Sequence, residues 1–374
     1  MRILHVITEL DNMYGAQRHM VECVKNHLAE GHSCAIISGK TGTASEQLAA
    51  YPIDIICIPA LRNSYFIFND ISAIRSIIKV IDRYKPDIVI SHSSKAGILT
   101  RIACSIKKIP NLFTVQGWAF EKGTPFFQYI TGLTIEYLLK SLSDKYYCVS
   151  ENTASLGINK IGIKKEKIVI CANLHEKRNL SVPDNTIFHN VLMVAGFRKQ
   201  KDHTTAIKAI NKIVNIHRRK DIRFTFIGDG SERPHIETLI NKYDLKDYIF
   251  LAGETTEMDK YYESCDIVIL PTHYEGLPIA LIEALQKAKP IIATNVSGVS
   301  EIIVEGYNGN LIEEYDYNAL SDLIVRYYEE NSFANMGANA LQVYKERFSY
   351  DDICIKMNTI INSLPTNSIY KKVN

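Results

Sequence analysis

Short apolar runs alternate with helix-length amphipathic segments along the whole chain. Strands that are buried on both faces of a parallel sheet appear in a sequence as such continuous apolar runs. The runs form two series and cover residues 2–8, 34–38, 53–58, 87–91, 111–115, 145–150 and 167–171, then 191–195, 223–228, 248–253, 266–271 and 290–294. The pattern predicts two doubly wound parallel α/β sheets, one after the other.

A polar stretch at residues 175–190 separates the two series and is typical of an interdomain linker. We therefore expect an N-terminal Rossmann-like domain over residues 1–180 and a second one over 181–349, which fits the length of 374 residues. A terminal helix at about 350–374 either caps the second domain or packs back on the first. Doubly wound domains bind ligands at the carboxyl ends of their strands, so we expect the two domains to face each other across a binding cleft.

Composition narrows the class of protein. Apolar residues make up 46% and charged residues 22%, as in ordinary globular proteins. The eight cysteines form no C-x-x-C pair, and neither H-E-x-x-H nor D-x-D occurs, so no metal is expected. The start, MRILHVITEL, does not resemble a secretory signal, and no window reaches about 18 consecutive apolar residues. We expect a cytoplasmic protein with at most peripheral contact at the inner face of a membrane.

The two halves differ in charge. The first 190 residues contain 22 Lys or Arg against 16 Asp or Glu, and the remainder contains 21 against 25. A basic half faces anionic lipid headgroups, phosphorylated substrates or nucleic acid, or is an ordinary solvated surface. No nucleic-acid-binding motif accompanies this charge, so we expect no nucleic acid partner.

The stretch LPTHYEGLPIALIEAL carries the most informative chemistry. A strand is followed by a loop and then by a helix that we expect to begin at Pro278, because a proline costs no hydrogen bond in a first helical turn. Backbone N–H groups at a helix start bind a diphosphate, and carboxylates beside them accept hydrogen bonds from sugar hydroxyls. The pattern indicates a nucleotide-sugar site. Its candidates are Glu275, Gly276, Leu277, Pro278, Ile279, Ala280 and Glu283.

The run E-G-L-P-I-A-L-I-E resembles the E-x7-E motif of the retaining glycosyltransferases of family 4, which have the glycogen-synthase-like GT-B architecture. The segments FIGDGSERPHIETL, YYESCDIVILPTHYEGLP and SGVSEIIVEGYNGNLI agree with this family. In the first half, YGAQRHM resembles the family's G-G-A-E-R loop, and SHSSKAGILTRIA and FTVQGWAFEKG are similar to bacterial surface-polysaccharide members. The resemblance extends in order over nearly the whole chain.

The resemblance implies roles for several residues. Glu283 would hold the ribose hydroxyls, and Glu275 would approach the donor sugar or the reaction centre. Lys201 would bind the leaving diphosphate. Gly196 stands where many members have the arginine of the diphosphate clamp, so we assign the guanidinium role to Arg198. The catalytic candidates are therefore Glu275, Arg198 and Lys201.

The first half supplies the candidates for acceptor binding. Gly15 is placed on the loop after the first strand, where a glycine lets the backbone approach a donor phosphate or an acceptor hydroxyl closely. Gln116 stands where many members have a histidine that contacts the donor sugar or the acceptor. Either that histidine is not a base in general, or His92, which we expect at the same cleft, replaces it. The acceptor-binding candidates are Tyr14, His92, Lys95, Gln116 and Trp118.

Two apolar segments of the first half have alternative interpretations. The aromatic-rich segment 118–139 and the helix predicted over 96–109 are expected to belong to the core, and the alternative is an interfacial surface that reaches a lipid-linked acceptor. On the predicted helix we expect Arg101 to lie off the apolar face. That face would consist of Ile98, Leu99, Ile102 and Ile106.

The resemblance implies a retaining, metal-independent glycosyltransferase of the hexosyltransferase type that needs no cofactor. The donor would be a nucleotide sugar, with UDP favoured and GDP second. The acceptor would be a glycan or a lipid-linked glycan in bacterial surface polysaccharide synthesis. An epimerase or hydrolase of the same fold and a non-catalytic glycosyltransferase-like subunit are the alternatives. The loop after the first strand lacks G-x-G-x-x-G, which disfavours nicotinamide binding.

Overall fold

The computed structural model describes residues 1–63, 67–121, 123–180, 188–330 and 333–365. The chain divides into two compact units, unit 1 with residues 1–176 and 350–374, and unit 2 with residues 177–349. The terminal helix belongs to unit 1, where the Asn26 side-chain amide donates to Asn358 Oδ1 at 2.9 Å. Residues 181–187 of the expected linker and 366–374 of the expected terminal segment lie outside the described residues.

Unit 1 contains one parallel sheet with the strand order β3-β2-β1-β4-β5-β6-β7. Its strands are β1 (Arg2–Ile7), β2 (Ser33–Ser38), β3 (Asp54–Cys57), β4 (Ile88–Ser91), β5 (Asn111–Val115), β6 (Lys145–Cys148) and β7 (Ile168–Ile170). The helices between them are α1 (Gly15–Ala29), α2 (Thr43–Glu46), α3 (Ile67–Tyr84), α4 (Ser94–Lys107), α5 (Phe126–Leu139) and α6 (Glu151–Leu156). Each apolar run of the first series therefore forms a strand.

Unit 2 repeats this architecture with the strand order β10-β9-β8-β11-β12-β13, again all parallel. Its strands are β8 (Asn190–Val194), β9 (Arg223–Ile227), β10 (Ile249–Gly253), β11 (Ile267–Leu270), β12 (Ile291–Thr294) and β13 (Gly309–Ile312). Its helices are α7 (His203–Asn211), α8 (Arg233–Lys242), α9 (Met258–Ser264), α10 (Ile279–Gln286), α11 (Tyr317–Glu330) and α12 (Phe333–Val343), and α13 (Tyr350–Asn362) follows in unit 1. The predicted fold class, two parallel Rossmann-like α/β sheets, is confirmed.

Strand β13 was not predicted because its sequence, Gly-Asn-Leu-Ile, is too short and too polar to form an apolar run. Its polar residue is buried with partners: Asn310 Nδ2 donates to Glu305, and Asn310 Oδ1 accepts from the Tyr327 hydroxyl at 2.8 Å. A buried amide is tolerated in a strand when its hydrogen bonds are made. The pattern of apolar positions contains no signal for either partner.

Helix α4 does not present the face that the sequence predicts. Arg101 is fully buried and Ile106 is exposed, so the prediction that Arg101 lies off the apolar face is wrong. The reason is a partner on α5: Arg101 Nη2 lies 2.8 Å from Glu136 Oε2, and both side chains are buried. Arg101 Nε also donates to the Gly97 carbonyl at 3.0 Å. A buried arginine is stable when its charge and its N–H groups are matched in this way.

The aromatic-rich segment is divided between core and surface. Trp118 and Phe120 are buried in a cluster with Phe113, as the core interpretation expects. The start of helix α5 contradicts the core interpretation, because Phe126 and Phe127 there are 73% and 84% exposed. Among the described helices, none combines the length and the apolar character that a membrane crossing requires.

Candidate active site

In unit 2 the structure brings together two of the predicted catalytic residues. Lys201 lies at the end of the short turn Lys199–Lys201 after β8, and Glu275 lies on the loop between β11 and α10. The Lys201 ammonium forms an ion pair with the Glu275 carboxylate. Glu275 is only 7% exposed, and the Thr272 hydroxyl lies 2.9 Å from its Oε1. A carboxylate held by both partners fixes the lysine at this edge of the sheet.

Backbone hydrogen bonds fix the two loops that carry this pair. The His273 N–H donates to the Gln200 carbonyl at 2.9 Å, and the Gln200 side-chain amide donates to the Tyr274 carbonyl. The lysine and the glutamate are therefore positioned by backbone groups next to them rather than by their own contact alone. Arg198 is the N-cap residue of the same turn and is exposed, and its carbonyl accepts from the Lys201 N–H at 2.9 Å.

The helix after this loop starts one residue later than predicted. Pro278 is the N-cap residue with extended backbone, and α10 begins at Ile279. The Pro278 carbonyl accepts from the Leu281 N–H at 3.1 Å, so the first intrahelical hydrogen bond already involves the cap. The N–H groups of Ile279 and Ala280 belong to the first turn and lie outside the helix's own hydrogen-bond pattern. These N–H groups have the arrangement that the predicted anion site requires, and anion binding at this helix start stays a prediction.

A glycine outside the predicted motif shapes this loop. Gly298 has φ of +78°, and a Cβ built on it would lie 2.0 Å from the Gly276 carbonyl oxygen. Only glycine adopts this conformation while permitting such a close backbone approach. The neighbouring Ser297 hydroxyl donates to the Glu275 carbonyl at 3.3 Å. Residues 297–298 therefore pack against the backbone of Glu275 and Gly276 and hold this loop in place.

Glu283 is buried, with 1% exposure. The sequence analysis did not predict the residues that contact its carboxylate. Its Oε1 lies 3.2 Å from Arg178 Nη2, and its Oε2 accepts from the Tyr262 hydroxyl at 3.1 Å. Arg178 also pairs with Asp259 at 2.8 Å. Arg178 lies in the segment that was interpreted as a linker, and no local pattern could have linked it to Glu283. The arrangement keeps a charged carboxylate in the protein interior.

A buried histidine follows Lys201 directly. His203 is the first residue of α7, and its ring packs against Phe197 and Phe226, with centroid distances of 4.7 and 5.7 Å. Neither ring nitrogen has a hydrogen-bond partner among the described residues. Burial, and then the Lys201 charge, lower the pKa of His203 to about 3. The imidazole is therefore neutral in the folded protein at neutral pH.

We predict an acid-dependent loss of stability at His203. Because its pKa is lower in the folded than in the unfolded state, the stabilisation is complete above the unfolded pKa near 6.5 and is lost as the pH falls towards 3. The loss is about 1.4 kcal/mol per pH unit well below 6.5. His203→Phe keeps a ring and cannot take up a proton, so its thermal stability relative to wild type should rise as the pH falls from 7 to 5. Parallel pH curves for the two proteins would contradict the assignment.

The candidates of unit 1 occupy the ends of neighbouring strands but differ in accessibility. Tyr14 caps α1 with extended backbone, and Gly15 is the first residue of that helix rather than a loop residue. A Cβ on Gly15 would meet nothing within 4 Å, so no neighbour in the chain requires a glycine there. After β5, the Gln116 side-chain amide donates to Asn173 Oδ1 at 2.7 Å and stays partly exposed. Tyr14 and Gln116 thus remain the accessible candidates.

The structure moves the other acceptor candidates into the interior. His92 is fully buried, with its Nε2 2.9 Å from His5 Nδ1. Lys95 does not end a strand but lies in the first turn of α4, buried and paired with Asp70 at 2.6 Å. Trp118 is a core residue whose indole N–H donates to the Thr153 carbonyl at 2.8 Å. Their burial contradicts direct contact with an acceptor, which the sequence pattern could not reveal.

Two parallel Rossmann-like α/β sheets in succession are the architecture of the GT-B glycosyltransferases. The family model described as Glycosyl transferases group 1 matches residues 176–343, and the one described as Glycosyltransferase Family 4 matches residues 13–174. The chain is a glycosyltransferase whose two halves match these two models.

Known proteins agree with this assignment. The chain is 24% identical over 296 residues to the UDP-Gal:alpha-D-GlcNAc-diphosphoundecaprenol alpha-1,3-galactosyltransferase of Escherichia coli, covering 75% of the chain and 76% of that protein. It is 24% identical over 388 residues to the capsular polysaccharide biosynthesis glycosyltransferase CapM of Staphylococcus aureus, with 97% of each chain covered. The structure of Anabaena Alr3699/HepE with UDP-glucose superposes with a TM-score of 0.82 at 16% identity, covering 97% of this chain and all of the other.

Proposed function

We propose that the chain transfers a sugar from a UDP-sugar to a glycan or lipid-linked acceptor in the synthesis of a bacterial surface polysaccharide, with retention of the anomeric configuration and without a metal ion. The observation that carries the proposal is the Lys201–Glu275 pair beside the first turn of α10 in unit 2. The activity in the name of one relative supports it, since that enzyme uses UDP-Gal and an acceptor linked to diphosphoundecaprenol.

The residues of unit 2 supply what a departing diphosphate needs. As the bond between the sugar C1 and the phosphate oxygen breaks, negative charge develops on the diphosphate. Lys201, Arg198 and the N–H groups at the start of α10 would stabilise that charge in place of a metal ion. Glu275 keeps the lysine in position before the donor binds. Glu283, which Arg178 and Tyr262 hold on α10, would accept from the ribose hydroxyls.

The acceptor hydroxyl would attack C1 from the face that the diphosphate leaves. The new bond joins the acceptor oxygen to C1, and the acceptor proton passes to the leaving phosphate oxygen, so no separate protein base is needed. The absence of a protein base agrees with the two residues considered for that role. Gln116 cannot titrate at neutral pH, and His92 is buried. Tyr14 and Gln116 would contact the acceptor.

Nucleotide selectivity tests the donor assignment. A nucleotide at about 100 times its Kd adds about 2.7 kcal/mol to the folded state, which raises the melting temperature measurably. We expect this shift with UDP and a smaller shift, or none, with GDP at the same concentration. A shift with GDP alone would replace the UDP assignment, and no shift with either nucleotide would contradict a donor site in unit 2.

We also propose that α5 contacts the membrane surface that holds a lipid-linked acceptor. The first turn of this helix presents Phe126 and Phe127 to solvent, and Ile130 is exposed one turn later. Aromatic side chains at the start of an amphipathic surface insert at the level of lipid headgroups. The surplus of Lys and Arg in the first 190 residues favours an anionic bilayer.

Vesicle binding tests this contact. The double substitution Phe126→Ser and Phe127→Ser removes two apolar side chains, and burial of such a side chain is worth about 1.5–3 kcal/mol. We expect at least a tenfold fall in the partition coefficient on phosphatidylglycerol vesicles, measured by sedimentation. Phe250→Ser is the matched control, because Phe250 is 60% exposed on unit 2 and should leave binding unchanged. Equal binding by all three proteins would place the membrane contact elsewhere.

A further inference from the structure

Three potential metal ligands meet between α1 and the sheet in the interior of unit 1. They are His5 on β1, His27 on α1 and Cys34 on β2, and all three side chains are buried. One ligand atom of each lies within 4.8 Å of the others. Two imidazoles and a thiol form a ligand set that hydrophobic packing alone does not require.

The strand pairing explains why the three side chains share one side of the sheet. Strands β1 and β2 pair in parallel, with Ile3 opposite Cys34 and His5 opposite Ile36. Residues at alternate positions of a strand point to the same face, so His5 and Cys34 lie on one face. The intervening residues Leu4 and Ala35 belong to the core cluster packed on the other face. Helix α1 then brings His27 onto His5.

The distances match those of ligands around a single ion. His5 Nε2 lies 3.2 Å from His27 Nδ1. Two imidazole nitrogens that each bind Zn²⁺ at about 2.0–2.1 Å with a near-tetrahedral angle are separated by about 3.3 Å. Cys34 Sγ lies within 4.8 Å of a ligand nitrogen of each histidine and would complete the set by moving to the Zn–S bond length of about 2.3 Å.

The remaining nitrogen of His5 has the partner expected beside a metal ligand. His5 Nδ1 lies 2.9 Å from His92 Nε2, so a metal on Nε2 would leave Nδ1–H to donate to His92. Metal-bound histidines almost always donate their second N–H in this way, which fixes the ring and its tautomer. His92 is buried and was predicted to bind the acceptor. In this site it would instead accept the hydrogen bond from the metal ligand His5.

We propose that His5, His27 and Cys34 bind a metal ion that prefers imidazole and thiolate ligands, with Zn²⁺ as the expected ion. The ion would tie β1, β2 and α1 together and stabilise unit 1, and it would take no part in sugar transfer. Binding exchanges the Cys34 S–H bond for an S–metal bond and releases the proton to solvent. His32, whose ring lies 6.3 Å from that of His27, is partly exposed and is flanked in the sequence by two solvent-exposed residues.

Metal loading of the purified full chain tests the site. After removal of metal with a chelator, Zn²⁺ at about 100 times its Kd should raise the melting temperature by about 5–10 °C. Elemental analysis should find about one Zn²⁺ per chain, the ratio a single closed site takes. Co²⁺ should give the charge-transfer absorption of a cobalt–thiolate bond. No shift, no bound metal and no such absorption in the wild-type chain would overturn the proposal.

Substitutions separate this site from adventitious binding. Cys34→Ser should abolish the cobalt–thiolate absorption, and His92→Gln should weaken Zn²⁺ affinity about 10–100-fold through the outer hydrogen bond. Cys57→Ser is the matched control, because Cys57 is an exposed cysteine outside the cluster and its loss should change nothing. Absorption that persists in Cys34→Ser and disappears in Cys57→Ser would assign the metal to the surface instead. The wild-type measurements keep the test decisive if a variant fails to fold.

Discussion

Lys201→Ala is expected to lower the turnover of sugar transfer about 100–1000-fold, the loss seen when one preorganised group that stabilises developing negative charge is removed. The structure places the Lys201 ammonium in an ion pair with Glu275 beside the start of α10. Since its charge matters most while the diphosphate leaves, the loss should fall mainly on kcat, measured as nucleotide release at saturating donor.

A lysine on the same turn provides the control for that loss. Lys199 lies two residues earlier, is exposed and has no role in the proposed chemistry. Lys199→Ala removes an equal charge from the same loop and should retain nearly full turnover. Equal losses in the two variants would mean that general positive charge, rather than the position of Lys201, supports transfer. Unchanged turnover in Lys201→Ala would remove Lys201 from the mechanism.

Glu136→Leu is expected to destabilise unit 1 by about 3–5 kcal/mol, the cost of leaving a buried charge without its partner. Arg101 is fully buried and makes its ion pair with Glu136 at 2.8 Å between α4 and α5. For a unit of this size the change lowers the melting temperature by about 10 °C, measured by calorimetry. The double variant Arg101→Leu, Glu136→Leu should be more stable than Glu136→Leu alone, because no unpaired charge remains.

An exposed ion pair gives the comparison for this effect. Glu257 pairs with Lys260 on the surface of unit 2. Exposed pairs contribute about 0–1 kcal/mol, so Glu257→Leu should change the melting temperature little. If Glu136→Leu cost no more than Glu257→Leu, the buried pair would not be what holds α4 to α5.

The fold was predictable because its strands are buried on both faces and therefore appear as apolar runs. The exceptions arise from polar side chains that are buried with a partner. Strand β13 contains a buried asparagine that bonds to Glu305, just before the strand, and to Tyr327 on α11. Arg101 belongs to the core only because Glu136, 35 residues later, supplies the opposite charge. Periodicity describes which residues share a helix face but not which polar groups find a partner.

The candidate site was predictable to the extent that its residues lie in short sequence motifs. Glu275 and Lys201 come from two such motifs on separate loops, and the structure joins them. The support of Glu283 by Arg178 and Tyr262 could not be predicted, because these residues become neighbours only when α9, α10 and the segment before β8 pack together. The exposure of side chains could not be predicted either. The sequence analysis expects His92 at the cleft, whereas the structure buries it beside His5.

The anomeric configuration of the product tests the proposed transfer most directly. The purified chain would be incubated with UDP-galactose and GlcNAc-diphosphoundecaprenol, the substrates in the name of one relative, and the product examined by NMR. We expect release of UDP together with an α-linked product, because attack from the leaving-group face preserves the configuration of the donor. A β-linked product would contradict the retaining mechanism, and free galactose released without acceptor transfer would identify a hydrolase instead.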